Sequence, residues 1–293
     1  MVRVLVTGAG GALGRAWVDR LGRTGLYLEP AFPGPVEVVA RNREELDVAS
    51  IASVQEIQEI APDLVLNCAG RTELEFCEAS PGEAFRVNRD GAEHVARACA
   101  KRGALPVYFS TDLIYDGGKL DPYREEETPN PLNAYGESKL AGEVRTMGAS
   151  RRHLIVRTGW VYGHAGQHFL RPIQDGLRAQ DELWCFDAQV GQATWIGDFL
   201  DGVLHLLKTG QTGYWHVASP GPVTQMQVMR RALEKLGLGD MTLEGRGGDR
   251  MAQLPAYTVL DGRKLAGTGV VMRAWEKGLH DFLAGCPRQA RTK

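Results

Sequence analysis

The stretch NAYGESKLAGE (133–143) contains a phenol and an ammonium at helical spacing. Tyr135 and Lys139 are four residues apart, so on a helix both side chains lie on one face, one turn from each other. An ammonium in a water-poor site stabilises a phenolate, which lets a phenol with an ordinary pKa of about 10 exchange a proton near neutral pH. The alternative is a solvated helix face on which Lys139 pairs with Glu143, because a YxxxK match also occurs by chance.

Polar groups follow a buried strand pattern elsewhere in the chain. The run PVYFST (106–111) is typical of a buried strand, and Ser110, Thr111 and Asp112 lie at its carboxyl end. In open parallel sheets, ligands bind beyond the carboxyl ends of the strands, so these side chains are candidates for ligand contact. The segment 112–134 that follows has little periodicity, and so long a loop is usually functional or mobile.

A glycine-rich loop lies between the first strand pattern and the first helical pattern. TGAGGALG (7–14) places Gly8, Gly11 and Gly14 in GxxGxxG spacing. Glycines permit a tight turn, close approach of the backbone to a pyrophosphate and close helix–strand packing. The N-terminus of the helix offers unpaired N–H groups and a positive dipole end to the phosphates. We predict that this loop, with Ala12 and Leu13, binds a dinucleotide.

Two arginines follow the second apolar run. VEVVA (36–40) is followed directly by Arg41, and Arg43 lies two residues further on. A free ribose 2′-hydroxyl favours an acidic residue at the tip of this strand, whereas a guanidinium suits a 2′-phosphate. We therefore predict a preference for NADPH, with Arg41 as the cofactor-binding residue and NADH as the second candidate. The alternative is that both arginines are solvated surface residues.

Apolar runs alternate with helical patterns along the first half of the chain. Strands that are apolar at nearly every position are typical of parallel strands covered on both faces. Strand and helix in alternation imply right-handed crossovers, so we predict an α/β fold with a doubly wound parallel sheet. Strands are predicted at 2–7, 36–40, 63–69, 106–111 and 153–159, with candidates at 182–188 and 213–219, and helices at 12–24, 50–61, 80–102, 135–148, 197–208 and 222–236.

The regular alternation weakens after about residue 160, which indicates a second structural unit. We expect this unit to be a smaller C-terminal lobe that binds the substrate. The predicted division is a dinucleotide-binding domain at 1–160 to which a segment near 185–217 returns, a mainly substrate-binding lobe at 161–285, and a disordered tail at 286–293.

The bulk composition argues against several kinds of partner. The 293 residues have a formal net charge of −2, which provides no basic field for nucleic acid or an anionic membrane. No apolar segment is long enough to span a bilayer, and the N-terminus lacks the pattern of a secretory signal. Five cysteines without a CxxC pair indicate free thiols, so we expect a cytoplasmic protein. The cysteines and histidines lack metal-ligand spacing, and no metal is predicted.

Six motifs in one order make the chain similar to a known family. They are TGAGGALG, ELDV, APDLVLNCAGRTELEFCE, FSTDLIYDG, PNPLNAYGESKLAGE and VRTGWVYG. With these motifs, and from the glycine loop to about residue 230, the chain resembles the dTDP-4-dehydrorhamnose reductase family of the extended short-chain dehydrogenase/reductase superfamily. The resemblance implies a Rossmann-type fold, a nicotinamide cofactor and a nucleotide-sugar as the small-molecule partner; we expect a monomer or a homodimer.

The resemblance also implies a reaction, the reduction of the C4 ketone of a nucleotide-linked 4-keto-6-deoxysugar. The leading candidate is conversion of dTDP-4-dehydro-L-rhamnose to dTDP-L-rhamnose. Tyr135 would donate a proton to the carbonyl oxygen, Thr111 would hydrogen-bond the same oxygen, and Lys139 would bind the nicotinamide ribose and bias Tyr135 toward phenolate. Cofactor contacts carry over to Asp47, Val48, Gly70, Arg71 and Thr72, and substrate contacts to Thr111, Asp112 and Trp160.

The chain departs from the family pattern at a few positions. Ala16 stands where relatives often have the Glu associated with a magnesium-bridged dimer, so no such interface is predicted. Arg71 replaces a frequent His, and Ala188 and Ala193 replace an acid and a proline on the substrate side. Two alternatives therefore stay open. One is a different nucleotide-sugar enzyme, such as an epimerase or another ketoreductase, and the other is a non-catalytic module similar to the regulatory β subunit of methionine adenosyltransferase.

Overall fold

The structure is a computed structural model that describes residues 1–23, 26–166, 168–177, 182–245 and 251–286. Most of its long strands lie in the first half of the chain, and shorter ones follow. The strands are β1 (Val2–Thr7), β2 (Tyr27–Leu28), β3 (Phe32–Arg41), β4 (Leu64–Asn67), β5 (Leu105–Thr111), β6 (Leu154–Thr158), β7 (Val161–Tyr162), β8 (Leu183–Cys185), β9 (Val190–Gly191), β10 (Thr194–Trp195), β11 (Gly213–His216), β12 (Val223–Thr224) and β13 (Leu243–Gly245).

The helices cover both faces of the sheet and build the C-terminal lobe. They are α1 (Ala12–Leu21), α2 (Glu56–Ile60), α3 (Leu74–Ala79), α4 (Pro81–Phe85), α5 (Gly91–Arg102), α6 (Ala134–Ala149), α7 (Arg171–Asp175), α8 (Ile196–Lys208), α9 (Gln225–Lys235), α10 (Arg263–Ala266) and α11 (Trp275–Ala284). A π-helical turn at Arg86–Asp90 joins α4 to α5, so the helix predicted at 80–102 is continuous but locally underwound.

Within the described residues, seven strands form one sheet in the order β11, β6, β5, β4, β1, β3, β2. Every neighbouring pair is parallel except β2 and β3, which are antiparallel at the edge. From β1 the chain passes to β3 on one side and then to β4 on the other side. The carboxyl ends of β1 and β4 therefore border the crevice in which doubly wound folds bind ligands.

Two apolar cores cover the two faces of this sheet. On one face, Phe109 of β5 packs between Trp17 of α1 and Phe199 of α8, with ring centroids 6.1 and 5.8 Å apart. On the other face, Leu5 and Val65 contact apolar residues of the helices α2 and α5. Burial on both faces explains why these strands are apolar at nearly every position. The predicted α/β fold with a doubly wound parallel sheet is confirmed.

A separate core forms the C-terminal lobe. Its members come from chain positions between Tyr162 and Phe282 and include helices α9 and α11. Helix α8 and strand β11 instead pack with the central sheet. The domain boundaries stay a prediction, and the predicted tail lies outside the described residues from position 287 onward.

Several predicted element bounds were wrong for local reasons. Strand β3 begins at Phe32, four residues earlier than predicted. Pro33 and Pro35 made this part of the sequence unlike a central strand, so the prediction began too late. Both prolines precede the run in which β3 pairs with β1. The helix predicted at 50–61 is limited to Glu56–Ile60 after a short 3₁₀ turn. No helix among the described residues is long and apolar enough to cross a membrane.

Candidate active site

Helix α6 positions the two residues that could move a proton. The Asn133 side chain accepts a hydrogen bond from the backbone N–H of Gly136 at 2.8 Å and so caps the first turn. Close packing against β5 depends on Gly142, because a Cβ there would lie 2.2 Å from the Tyr108 hydroxyl. One buried stripe of α6 therefore faces the sheet and carries Lys139 into the protein.

Lys139 is a buried ammonium. Its side chain is almost fully buried, and Nζ lies 4.2 Å from the centroid of the Tyr108 ring. Burial lowers the pKa of Lys139 to about 8, and the Glu143 carboxylate opposes that shift. A Cβ added at Gly70 would be 4.0 Å from Nζ, which places the ammonium beside the loop that follows β4.

Tyr135 lies in the first turn of α6, partly buried against Cys77 and Ala84. Burial raises the pKa of the Tyr135 phenol above its ordinary value, and the adjacent Thr111 hydroxyl opposes the increase. This direction is opposite to the phenolate bias that the resemblance implies. The phenol is therefore protonated at neutral pH, which is the form that a proton donor needs.

Tyr135 and Thr111 face one large cavity between the sheet and the C-terminal lobe. The cavity has a volume of about 780 Å³, and aromatic side chains of the lobe form part of its wall. Its lining includes Thr72, Thr111, Asp112, Tyr135, Trp160, His168, Phe169, Arg171, Trp184 and Gln189. The predicted substrate residues Thr111, Asp112 and Trp160 thus meet at the same cavity as the catalytic candidate Tyr135.

Two of these wall residues have unusual surroundings. Asp112 is buried, accepts a hydrogen bond from the Thr111 hydroxyl at 3.1 Å, and has a pKa raised to about 6 by its burial. Trp160 has a φ of +29°, a conformation that large side chains rarely adopt. Such backbone strain persists only where the surrounding structure holds it in place, and it is found most often at ligand sites.

A second groove, of about 400 Å³, runs along the carboxyl ends of β1, β3 and β4. Glycine at position 8 lets two loops meet at this groove: Gly8 has a φ of +61°, and a Cβ there would lie 2.7 Å from the backbone nitrogen of Ala69. The lining contains the predicted residues Gly8, Gly11, Asp47, Val48, Gly70 and Arg71, together with Asn42, Arg43, Glu44 and Cys68.

Other predicted cofactor residues lie outside this groove. Gly14 is buried beneath the loop, where a Cβ would be 2.3 Å from the carbonyl oxygen of Gly8. Leu13 packs on the central core, and Ala12 lines a different surface groove. Thr72 belongs to the large cavity described above.

The two arginines after β3 have different surroundings. Nε of Arg41 donates to Glu56 at 2.7 Å, and Arg41 does not line the groove. Arg43 does line it, is more than half exposed, and lies 3.8 Å from Glu83. Arg43 is therefore the better placed of the two to meet a phosphate, whereas the sequence analysis assigns the cofactor contact to Arg41.

Asn88 is a site residue that the sequence reasoning missed. Its side chain is buried in the π-helical turn and exchanges two hydrogen bonds of 2.8 Å with the backbone of Arg71. It also donates to the Ser138 hydroxyl at 2.9 Å. Asn88 thus joins the cofactor loop after β4 to helix α6, one residue before Lys139. No local pattern in the sequence indicates this contact.

Within the described residues, no group of three or more His, Cys, Asp or Glu side chains is arranged to hold a metal ion. The five cysteines, all of them described, are free thiols. Cys68 borders the cofactor groove, and burial raises its pKa well above the ordinary thiol value, so its thiol is neutral there. Acid–base chemistry at this site therefore depends on oxygen and nitrogen groups.

The chain is similar to known proteins along nearly its whole length. The model of the family described as "RmlD substrate binding domain" matches residues 2–287. The chain is 35% identical over 88% of both chains to a dTDP-4-keto-6-deoxy-D-glucose reductase of Streptomyces niveus. It is 30% identical to a dTDP-4-dehydrorhamnose reductase of Mycolicibacterium smegmatis, with 96% of this chain and 85% of the relative covered.

A solved structure also superimposes on nearly the whole chain. It is a dTDP-4-dehydrorhamnose reductase of Bacillus anthracis in complex with NADP, with a TM-score of 0.86, 29% identity, and coverage of 97% of this chain and 98% of the other. The fold and the site thus define an oxidoreductase of the extended short-chain dehydrogenase/reductase type. The chain belongs to the dTDP-4-dehydrorhamnose reductase family, as the sequence motifs indicated.

Proposed function

We propose that the chain is an NADPH-dependent reductase of the C4 ketone in a dTDP-linked 4-keto-6-deoxyhexose. One juxtaposition carries the proposal. Tyr135 and Thr111 line the 780 Å³ cavity, and Lys139 lies one turn further along helix α6, beside the Gly70 loop that borders the cofactor groove. Arg71 of the groove and Thr72 of the cavity are consecutive residues, so a proton donor and a cofactor site lie side by side, as ketone reduction requires.

Each residue has a distinct part in this reaction. The Tyr135 phenol gives its proton to the carbonyl oxygen, and the Thr111 hydroxyl turns from Asp112 to donate a hydrogen bond to the same oxygen and so orients the ketone. The Lys139 ammonium binds the ribose hydroxyls of the cofactor and stabilises the phenolate that remains on Tyr135. When bound, the reduced nicotinamide supplies the hydride.

The cavity supports a nucleotide-sugar as the substrate. Its volume is in the range of sites for ligands of this size, and its wall offers Trp160 and Phe169 for stacking. The Arg171 guanidinium at the wall is paired with Asp175. The S. niveus and M. smegmatis relatives are named as reductases of dTDP-linked deoxysugars, which favours thymidine diphosphate as the carrier. The particular reaction that we propose gives dTDP-L-rhamnose from dTDP-4-dehydro-L-rhamnose.

Two observations support NADPH as the reductant. Arg43 faces the groove at the tip of β3, where a guanidinium can bind a 2′-phosphate. The B. anthracis relative was crystallised with NADP. We further propose a cytoplasmic location, since the five free thiols fit a reducing compartment.

The test is a spectrophotometric assay of NADPH oxidation with three nucleotide-sugars. We expect turnover of dTDP-4-keto-6-deoxy-L-lyxo-hexose, which is the dTDP-4-dehydro-L-rhamnose named above. Mass spectrometry and chromatography should identify its product as dTDP-L-rhamnose. We expect no turnover of dTDP-glucose, which lacks the ketone. If dTDP-4-keto-6-deoxy-D-glucose is turned over faster than the L-sugar, the D-sugar is the substrate and the proposed L-sugar is wrong. No oxidation with either keto-sugar would overturn the proposed activity and favour a non-catalytic module.

A further inference from the structure

A buried ion pair lies one helical turn beyond Lys139. Glu143 of α6 and Arg157 of β6 have side chains that are 1% and 4% exposed. The contact is bidentate: Nε of Arg157 donates to Oε1 of Glu143 at 2.9 Å, and Nη2 donates to Oε2 at 2.7 Å. Removing two charges from water is costly, and a well-packed apolar pair of similar volume is often no less stable. Stability alone is therefore a weak explanation for this pair.

The remaining donors of Arg157 reach the loop between β5 and α6. Nη1 of Arg157 donates to the Tyr115 hydroxyl at 2.8 Å and to the carbonyl oxygen of Glu125 at 3.0 Å. The Tyr115 hydroxyl donates in turn to the carbonyl oxygen of Arg124 at 3.0 Å. This loop begins directly after Thr111 and leads into α6. One guanidinium thus joins β6, α6 and the segment that connects the catalytic candidates.

The carboxylate of this pair also acts on Lys139. The ionisable groups that face Lys139 from other elements are the Tyr108 phenol of β5 and the thiols of Cys68 and Cys77. On its own helix, Glu143 and the protonated Tyr135 phenol are each four residues away. Burial raises the pKa of both thiols and of the Tyr108 phenol, so these three groups are uncharged at neutral pH. Glu143 is accordingly the anion among these neighbours, and it opposes the loss of the proton from Lys139.

We propose that Glu143 is a positioning residue for the catalytic lysine: its pair with Arg157 fixes helix α6 against the sheet, and its carboxylate keeps the Lys139 ammonium charged. This inference rests on the proposed function, in which Lys139 acts as a cation. It gives a functional reason for the burial of the Glu143 carboxylate, which is unfavourable for stability. The expected consequence is a cofactor affinity and an activity that persist to higher pH than they would without Glu143.

The test removes the charges and keeps the packing. In the double variant Glu143→Leu/Arg157→Met, no unpaired charge is left in the core, so we expect the protein to fold, with a Tm lowered by the loss of the Arg157 hydrogen bonds to Tyr115 and Glu125. The single variant Glu143→Gln, which changes one atom of the carboxylate, is the second test protein. Removal of the exposed pair in Arg231→Met/Glu234→Leu is the matched control, since both of its side chains are about half exposed.

Two pH profiles are measured for each folded variant. In the wild type, we expect NADPH affinity, measured by fluorescence without any sugar, to fall as the pH rises through about 8, where Lys139 loses its proton. We expect this fall, and the alkaline fall of kcat, to move at least about half a pH unit lower in both Glu143 variants but not in the control.

The outcomes separate this inference from the proposed function. If the pH profiles of either folded Glu143 variant superimpose on those of the wild type, the Glu143–Arg157 pair is merely structural and the inference is overturned. A wild-type NADPH affinity that does not change with pH would also overturn it. Displaced binding profiles in a protein that reduces no keto-sugar would support the role of Glu143 while the proposed reaction fails.

Discussion

Burial acts in opposite directions on the two ionisable groups of the YxxxK motif. It raises the pKa of the Tyr135 phenol and lowers the pKa of Lys139 to about 8. At neutral pH the phenol therefore holds its proton, while Glu143 helps the lysine to keep its charge. A protonated phenol one helical turn from a cation suits proton donation to a carbonyl oxygen, because the cation can then stabilise the phenolate that is formed.

The variant Tyr135→Phe tests the proton donor. We expect kcat to fall by about two orders of magnitude or more, because the Thr111 hydroxyl can orient the ketone but is too weak an acid to replace the phenol. NADPH affinity should change little, since the phenol is not needed to hold the phosphates. The matched control is Tyr27→Phe, which removes the hydroxyl of a half-exposed tyrosine on the sheet edge. Steady-state kinetics and a binding titration decide, and near-normal turnover in Tyr135→Phe would refute the role.

The cofactor preference is assigned to Arg43 rather than Arg41. Arg43 lines the groove, whereas Arg41 is held by Glu56 at 2.7 Å. We expect Arg43→Ala to lower the ratio of kcat/KM for NADPH to that for NADH by about tenfold, the size of one charge-assisted contact of about 1.5 kcal/mol. Arg41→Ala should change this ratio much less. Equal ratios in the wild type and both variants would mean that neither arginine recognises the 2′-phosphate.

At the scale of elements, the site depends on close contacts between backbones. The glycine loop lies tightly under the first turn of α1, and α6 lies tightly on β5. These approaches bring the groove and the large cavity to the same edge of the sheet. Side-chain atoms at either contact would force apart the elements that carry Gly8 and Lys139.

The variant Gly14→Ala tests the first contact. A Cβ at Gly14 would lie 2.3 Å from the carbonyl oxygen of Gly8 and 2.7 Å from Cα of Ala9, so the loop must move. We expect at least a tenfold weaker NADPH affinity and a lower Tm. Gly82→Ala is the control, because a Cβ there meets nothing within 4 Å. In helix α4 that change should be neutral or stabilising by up to about 1 kcal/mol. An unaltered NADPH affinity in Gly14→Ala would contradict the proposed fit of the loop.

The sequence predicted the elements whose signals are local. The motif residues Tyr135, Lys139 and Thr111 could be proposed as site residues, because helical spacing pairs Tyr135 with Lys139 and Thr111 ends a parallel strand. Contacts across distant segments could not be predicted. Asn88 and the lobe residues around Phe169 meet the site through tertiary packing, and the strained backbone of Trp160 leaves no trace in its residue type.

The same limit applies to the strands and the ionisation states. Pro33 and Pro35 concealed the start of β3, since proline is depleted in central strands but tolerated before the parallel pairing begins. The direction of the Tyr135 pKa shift depends on burial in the assembled protein, so the motif alone could not supply it.

At the scale of the whole molecule, ligand binding should be linked to global stability. The groove joins three strands of the central sheet, so a dinucleotide bound there stabilises the folded state but has no site in the unfolded chain. We expect Tm to rise with the logarithm of NADPH concentration, by the equivalent of about 2.7 kcal/mol at a hundredfold excess over Kd. NADH at equal concentration should give a smaller rise. A Tm that is independent of NADPH would contradict the groove assignment.

The central claim is that hydride reaches C4 of a keto-sugar at the cavity that Tyr135 and Thr111 line. The most direct measurement uses NADPH with both hydrogens at C4 of the nicotinamide replaced by deuterium, with dTDP-4-keto-6-deoxy-L-lyxo-hexose as the acceptor, and analyses the sugar product by NMR and mass spectrometry. We predict one deuterium per product molecule, at C4 of the hexose, and almost no labelled product when Tyr135→Phe replaces the wild type over the same time. Deuterium at another carbon, or a product formed without deuterium, would contradict the account.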